Sequence, residues 1–310
     1  MRILFMGTPD FALFSLRALV ESGEDVIGVI TQPDKPKGRG YALTPPPVKV
    51  YALEKGLPVY QPATLRGDDF AALLAKLDPE LIVVVAFGKI LPQNVLDYPK
   101  YGCINVHGSL LPEYRGAAPM QRAIIDGKKE TGITTMLMAD GIDTGDMLLK
   151  RKIAIEANDN FETVHDKLGA CGAETLLETI KELRAGRLVA QKQNDALATY
   201  AAKIEKADCL IDFDRSAQAV HDQIRGLSPI PLAFTHTPDG KMLKIIASEL
   251  VSTNHSAPAG SVLSLDSGKI VVACKENAVA LLTVLPEGKK RMAASDFING
   301  RKIQVGDVLK

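Results

Sequence analysis

The chain has 310 residues, 46% of them hydrophobic and 5% aromatic with no tryptophan, and its 37 basic side chains balance 37 acidic ones. That length suggests two domains. A net charge of zero excludes general electrostatic capture by nucleic acid or membrane and leaves only local basic patches for that purpose. Cys103, Cys171, Cys209 and Cys274 lie far apart with no Cys-x-x-Cys pair, so they indicate neither a disulfide framework nor a zinc site. The apolar stretch after Arg2 is too short for a signal peptide, and no run reaches the ~18 apolar residues of a spanning helix. A soluble, cytoplasmic, monomeric protein with no metal and no membrane contact is expected.

Taken in chain order, Ile3 to Met6, Val26 to Thr31 and Leu81 to Ala86 are short β-branched runs bounded by glycine, proline or charge, as in strands buried on both faces. Phe11 to Glu21, Val48 to Lys55 and Asp68 to Leu77 have helical spacing between them. Tyr101 to Val106 reads as a further buried strand, Gly132 to Met138 continues the sheet, and Met147 to Ile155 reads as a return strand. Phe161 to Arg184 is a long amphipathic helix closed by Gly186. This alternation predicts an α/β, Rossmann-like, doubly wound and mostly parallel sheet over residues 1–189. Residues 190–205 are polar and aperiodic, which reads as a linker. Over 206–310 come a helix, Ser216 to Arg225, and five alternating runs: Leu232 to Thr237, Met242 to Leu250, Gly260 to Leu265, Lys269 to Ala273 and Val279 to Leu285. Five such strands suggest a small OB-fold-like β-barrel.

Four stretches carry chemistry. Gly7-Thr8-Pro9-Asp10 follows the first strand, but its single glycine falls short of a dinucleotide fingerprint; a glycine turn opening a helix accounts for it as well. Gln32 to Lys49 reads as a long loop holding Lys35, Lys37, Arg39 and Lys49 against one acid, Asp34, with Gly38 and Gly40 around the arginine. It is either a solvated mobile loop or a basic flap for a phosphate backbone. Lys289-Lys290-Arg291 is a smaller basic cluster, a solvated turn or a second phosphate contact.

The fourth stretch is the most telling. Asn105 and His107 stand two apart in Gly-Cys-Ile-Asn-Val-His-Gly, so both face one side at a strand's carboxyl end, where open α/β sheets bind ligands. Asp140-Gly-Ile-Asp143-Thr-Gly-Asp146 supplies carboxylates on a glycine loop that can approach the imidazole. His107 alone could be a core histidine, and Asp143 could cap a turn, relay a proton or bind a metal, although no ligand spacing supports a metal. Together the amide donor, imidazole and carboxylate, without a serine or cysteine nucleophile, suit a reaction whose substrate brings the nucleophile. His165, His221, His236 and His255 lack such company and read as surface or structural.

Asn105-Val-His107-Gly-Ser-Leu-Leu-Pro112, Tyr114-Arg-Gly-Ala-Ala-Pro119 and Gly141-Ile-Asp143-Thr-Gly-Asp146 together resemble the folate-dependent formyltransferase family. The match runs from Arg2 to about Gly186 and includes Gly7-Thr-Pro-Asp-Phe11 and Thr31-Gln-Pro-Asp34; Arg225-x-x-x-Pro229-x-Pro231 is similar in the second half. The resemblance implies transfer of the formyl group of 10-formyltetrahydrofolate to the α-amine of methionine esterified to initiator tRNA. It implies a catalytic trio of Asn105, His107 and Asp143, and a folate pocket lined by Ser109, Leu110, Leu111, Pro112 and Asp140 with Phe87 and Gly88 beside the pterin. The tRNA contacts expected are Lys35, Lys37, Arg39, Lys289, Lys290 and Arg291.

Overall fold

A computed structural model describes residues 1–37 and 42–310, apart from the side chains of Lys37 and Ala42. The chain divides into two compact units, one of Met1–Gly116, Thr131–Ile153 and His165–Tyr200, the other of Ala117–Glu130, Ala154–Val164 and Ala201–Lys310. The first begins with β1 (Arg2–Gly7), α1 (Asp10–Glu21), β2 (Asp25–Ile30), the short strands β3 (Lys35–Lys37) and β4 (Ala42–Thr44), α2 (Pro47–Glu54) and β5 (Val59–Tyr60). It continues through α3 (Asp68–Leu77), β6 (Leu81–Val85), α4 (Gln93–Leu96), β7 (Cys103–His107) and β8 (Arg115–Gly116). After α5 (Pro119–Ile125), which belongs to the second unit, β9 (Glu130–Leu137), β10 (Met147–Ala154) and most of α6 (Phe161–Arg184) complete the first.

Seven of these strands form one sheet in the order β10-β9-β7-β6-β1-β2-β5, while β3 and β4 pair with each other. The pairs β1–β2, β1–β6, β2–β5 and β6–β7 are parallel, and β9 runs antiparallel to β7. Every residue of β6 and all but the first of β1 are buried, as expected of Val, Ile and Leu runs with helices on both faces. Gly169 of α6 lies so near Phe14 of α1 that a Cβ there would stand 2.5 Å from the ring, and Gly172 faces Val106 and Ile133 of the sheet. The chain winds outward from β1 through β2 to β5, then crosses back to β6 and β7, so the order reverses beside β1. That switch point opens a crevice at the strands' carboxyl ends, where Gly7, Ala86–Gly88 and His107 lie.

The doubly wound sheet agrees with the sequence reading, with adjustments. Strand β7 begins at Cys103 and runs on to His107, because its pairing with β9 extends to His107 opposite Thr134, and β5 adds an edge strand beside β2 that was not expected. The stretch Gln32 to Lys49 is not the unstructured loop expected. Its described part is an antiparallel hairpin, Lys35 opposite Thr44 and Lys37 opposite Ala42, followed directly by α2.

The second unit carries, after β11 (Tyr200–Ala201) at its border, α7 (Ala217–Gly226), β12 (Ala233–His236), β13 (Met242–Val251), β14 (Val262–Ser264), β15 (Ile270–Ala273), β16 (Ala278–Pro286), β17 (Met292–Ala293) and α8 (Ala294–Asn299). All five expected strands are present and form a curled antiparallel sheet, β12-β13-β16-β15-β14, with β17 on β16. Register shifts between Ile245 and Ser248 bend the long β13–β16 pair. Ser216 caps α7 by accepting a hydrogen bond from Ala219 N, and Val220 and Ile224 of that helix bury against Leu243, Ile245 and Leu281. Among the described residues no helix is long and apolar enough to cross a membrane.

Candidate active site

The imidazole is the centre from which the site is built. Strand alternation sends Asn105 and His107 to the same side of β7, and Asn105 stands opposite Val84 of β6 and Met136 of β9. His107 is buried, with Nε2 2.9 Å from the carbonyl oxygen of Tyr114. A carbonyl only accepts, so Nε2 carries a proton and Nδ1 is left for exchange. Nδ1 lies 3.6 Å from Oδ2 of Asp143. Asn105 is half-buried, and its side-chain amide makes no hydrogen bond among the described residues, so its two donors are available to a bound group.

Asp143 is held in an uncommon conformation, with φ at 54°, the left-handed region that costs a non-glycine residue energy. Its Oδ2 accepts a hydrogen bond of 2.8 Å from Gly116 N. Two residues on, Gly145 is obligatory: a Cβ there would sit 1.7 Å from the carbonyl oxygen of Leu137. Gln193 donates its side-chain amide to the carbonyls of both Asp143 and Gly145, each at 2.7 Å. The stretch 191–200, read from sequence as part of a linker, therefore folds onto the loop that carries Asp143.

A cavity of about 280 Å³ adjoins Asp143. Asp140, Gly141 and Ile142 form one side, Lys89, Ile90, Leu91 and Leu96 another, with Met136 and Met138 as its apolar floor. An apolar slot with carboxylates at its rim fits a flat heteroaromatic ring that carries polar edges. A larger hollow of about 510 Å³ beside β5 and α3 shares no residue with the trio, so we place the chemistry at the smaller one.

Of the residues expected around a folate, Asp140 lines this cavity, whereas Gly88 does not, although its unpredicted neighbour Lys89 does. Phe87, Ser109 and Leu111 are buried instead: Ser109 donates its hydroxyl to Glu113 O at 2.6 Å, and Leu111 packs on Met136 behind the floor. Leu110 and Pro112 are half-buried and are not among the cavity's walls. Sequence reasoning missed Ile90 and Ile142, whose side chains are 84% and 65% exposed at the cavity. For Ile142 the one available signal was an apolar residue beside a glycine in a polar loop; Ile90, between Lys89 and Leu91, left none.

The cysteines supply no competing nucleophile. All four are buried, and burial pushes Cys103 up to about 12 and Cys274 up to about 11.

The basic residues fall apart into two groups. Lys35 is exposed on β3, and Lys289, Lys290 and Arg291 are exposed on the β16–β17 turn. Lys49 is not a free cation: its ammonium donates to Asp34 at 2.8 Å and to Gln61 at 2.9 Å, and it holds the Asp34 carboxyl below the usual range. The Lys37 side chain and the Gly38-Arg39-Gly40 triplet lie outside the described residues.

Among the described residues, the crevice brings together an amide donor, an oriented imidazole and a carboxylate, an arrangement able to serve a group transfer in which the acceptor itself attacks. Residues 1–180 match the formyl transferase family and 203–302 match the formyl transferase C-terminal domain. The chain is 51% identical over 311 residues to a methionyl-tRNA formyltransferase of Caldanaerobacter subterraneus subsp. tengcongensis, covering 100% of both chains. It is 50% identical over 309 residues to one of Citrifermentans bemidjiense, covering 100% of this chain and 96% of the other. Its fold matches the crystal structure of an N-formyltransferase from Helicobacter canadensis in complex with folinic acid and dTDP-3-aminofucose, with a TM-score of 0.68 at 19% identity over 90% of this chain and 98% of that one. The chain belongs to the formyl transferase family, on its methionyl-tRNA formyltransferase branch, and is a formyl-transferring enzyme.

Proposed function

We propose that this enzyme transfers the formyl group of 10-formyltetrahydrofolate to the free α-amino group of methionyl-initiator tRNA in the cytoplasm, and that Asn105, His107 and Asp143 are its catalytic residues. The observation that carries the assignment of residues is the imidazole held between Tyr114 O and Asp143 Oδ2, with the Asn105 amide in phase on the same strand. The folate supplies an activated formyl carbon. Asn105 donates hydrogen bonds to the formyl oxygen as the new C–N bond places negative charge there; loss of one such donor typically costs ~10²–10³ in rate. Asp143 faces Nδ1 of His107, so the proton that the attacking amine gives up can be held there opposite a negative charge and passed to the departing folate nitrogen. The bond between that nitrogen and the formyl carbon then breaks, and the nitrogen leaves protonated.

Formyl transfer and folate binding are assigned to residues 1–189, joined by 190–205 to residues 206–310, which contribute to tRNA binding. Support for the second role comes from the exposed Lys289-Lys290-Arg291 turn, since exposed cations neutralise phosphates on an otherwise neutral protein. Lys35, Lys37 and Arg39 are assigned the same role. The test offers three acceptors with 10-formyltetrahydrofolate as donor: charged initiator tRNA, an amino-sugar nucleotide and glycinamide ribonucleotide. Formylation of the tRNA alone is expected. Preference for either small acceptor would overturn the reading.

A further inference from the structure

We infer that Gln193 is a positioning residue for the reaction, acting by holding the backbone of the loop that carries Asp143. The inference rests on the trio proposed above. Asp143 reaches the imidazole only while its loop keeps a left-handed turn at residue 143 and a flush approach at Gly145. Among the described residues, the side chain that grips both of those peptides is Gln193, whose amide spends both hydrogens on Asp143 O and Gly145 O at 2.7 Å each.

Gln193 is itself locked. Its Oε1 accepts from Nε of Arg115 at 3.0 Å, and Arg115, only 2% exposed, also donates to Asp195 at 2.7 Å. An arginine fork leaves the amide one orientation, oxygen toward the guanidinium and nitrogen toward the loop. The segment enters through a backbone pair in which Gln191 and Met147 exchange both hydrogen bonds at 2.8 Å.

The same segment holds the other side of the imidazole. Thr199 Oγ1 accepts from Tyr114 N at 2.8 Å, and Arg115 N donates to Thr199 O at 2.9 Å. Tyr114 also has a left-handed backbone, with φ at 60°, and its carbonyl receives the His107 Nε2 proton. One ten-residue stretch therefore fixes both partners of His107, Asp143 through Gln193 and Tyr114 through Thr199. Catalytic groups displaced by ~1 Å can lose ~10² in rate, so a support of this kind is felt in turnover.

The decisive variant is Gln193→Glu in the full-length enzyme. It keeps the side-chain length and the bond from Arg115, but replaces the donor to the two carbonyls by an acceptor. We expect kcat to fall ~10–100-fold while KM for the folate donor and for charged tRNA stays within about twofold. Gln193→Met, which keeps the volume without charge, should behave alike and guards against misfolding of the glutamate form. Because Gln193 acts through Asp143, Gln193→Glu added to Asp143→Asn should lower kcat no further than Asp143→Asn alone. Wild-type kcat in both Gln193 variants, or losses that multiply in the double variant, would overturn the inference while leaving the trio standing. Wild-type turnover in Asp143→Asn would overturn the trio and this inference with it.

Discussion

Nε2 of His107 lies 2.9 Å from the carbonyl oxygen of Tyr114, and this contact fixes which ring nitrogen carries the proton. A backbone carbonyl cannot give up a proton, so Nε2–H is spent on orientation. Nδ1, 3.6 Å from Asp143, is the nitrogen open to proton exchange. Asn105→Ala and His107→Ala should therefore each lower kcat by at least ~10²-fold with little change in the affinity for a folate analogue, because both act on charge that develops during transfer. Steady-state kinetics beside calorimetry decides this, and near-normal turnover in either variant removes that residue from the mechanism.

Asp143→Asn separates charge from shape. The amide oxygen can still accept from Gly116 N, as Oδ2 does now at 2.8 Å, so the loop has no reason to move. What disappears is the negative charge facing Nδ1. Turnover should fall about as far as in His107→Ala, whereas Asp146→Asn should stay within a few-fold of wild type. The reverse ranking in a kcat comparison would mean that the other carboxylate of the loop serves the imidazole.

The doubly wound sheet and the clustering of Asn105, His107 and Asp143 were legible in the sequence because both leave local signals. Strands β1 and β6 are buried on both faces and so appear as unbroken apolar runs; Asn105 and His107 obey the period of two; Asp143 sits between glycines. Gln193 left none. Its partners are backbone carbonyls 50 and 48 residues away in the chain, and backbone atoms are the same in every residue. A polar segment that folds by side-chain bonds to a remote loop looks identical to a linker. The hairpin of β3 and β4 was missed for another reason: three-residue strands containing Pro36 are too short to establish alternation. Residues 117–130 and 154–164, finally, lie within the stretch assigned to the first domain yet pack with the second unit. That choice is made by contacts such as Arg225 donating to Asp159 O at 2.9 Å, which no periodicity reports.

Gly145→Ala tests how closely the loop is fitted. The new methyl would stand 1.7 Å from Leu137 O and 2.8 Å from Leu137 C, both backbone atoms that cannot rotate away. The loop must shift, and Asp143 shifts with it. We expect turnover to drop by ~10-fold or more, along with a lower Tm, since strain of this kind is relieved only by displacing packed backbone. A variant with wild-type kcat would mean that Asp143 tolerates movement of its loop.

His165 gives stability a pH dependence of known sign. Hydrogen bonding to Asp10, at 3.5 Å, raises its pKa, and a second bond to Asp166 at 2.9 Å adds to this against the opposing effect of burial. A histidine raised on folding contributes stability in full below its ordinary value of ~6.5 and loses it as pH climbs through the raised one. Asp10 is 73% exposed, so solvent screens the pair and the effect is small. The Tm difference between wild type and His165→Gln should thus be larger at pH 6 than at pH 9. A difference that grows toward pH 9 would show that the imidazole stabilises the fold in its neutral form.

The basic surfaces make the final prediction. Lys289, Lys290 and Arg291 are exposed at the turn after β16, and Gly288 there has φ at 69°, so the turn presents cations that no strand pairing constrains. Replacing all three by alanine should raise KM for charged tRNA, leave folate binding unchanged, and reduce the slope of log affinity against log salt by up to about three, one for each phosphate left without its cation. Arg39 differs in kind from these lysine-rich surfaces. In sequence it stands between Gly38 and Gly40, and a guanidinium is a planar fork able to grip phosphate or a base edge through two parallel bonds. Arg39→Lys keeps the charge and loses that geometry. It should therefore impair tRNA formylation substantially at unchanged folate affinity, with Arg39→Ala worse still. Formylation kinetics over a salt series, run beside timed trypsin digestion at Lys37 and Arg39, reads both surfaces at once. Wild-type kinetics in Arg39→Ala together with no protection by tRNA would reduce the hairpin to a surface insertion, and an unchanged salt slope in the triple variant would take the β16–β17 turn out of tRNA binding.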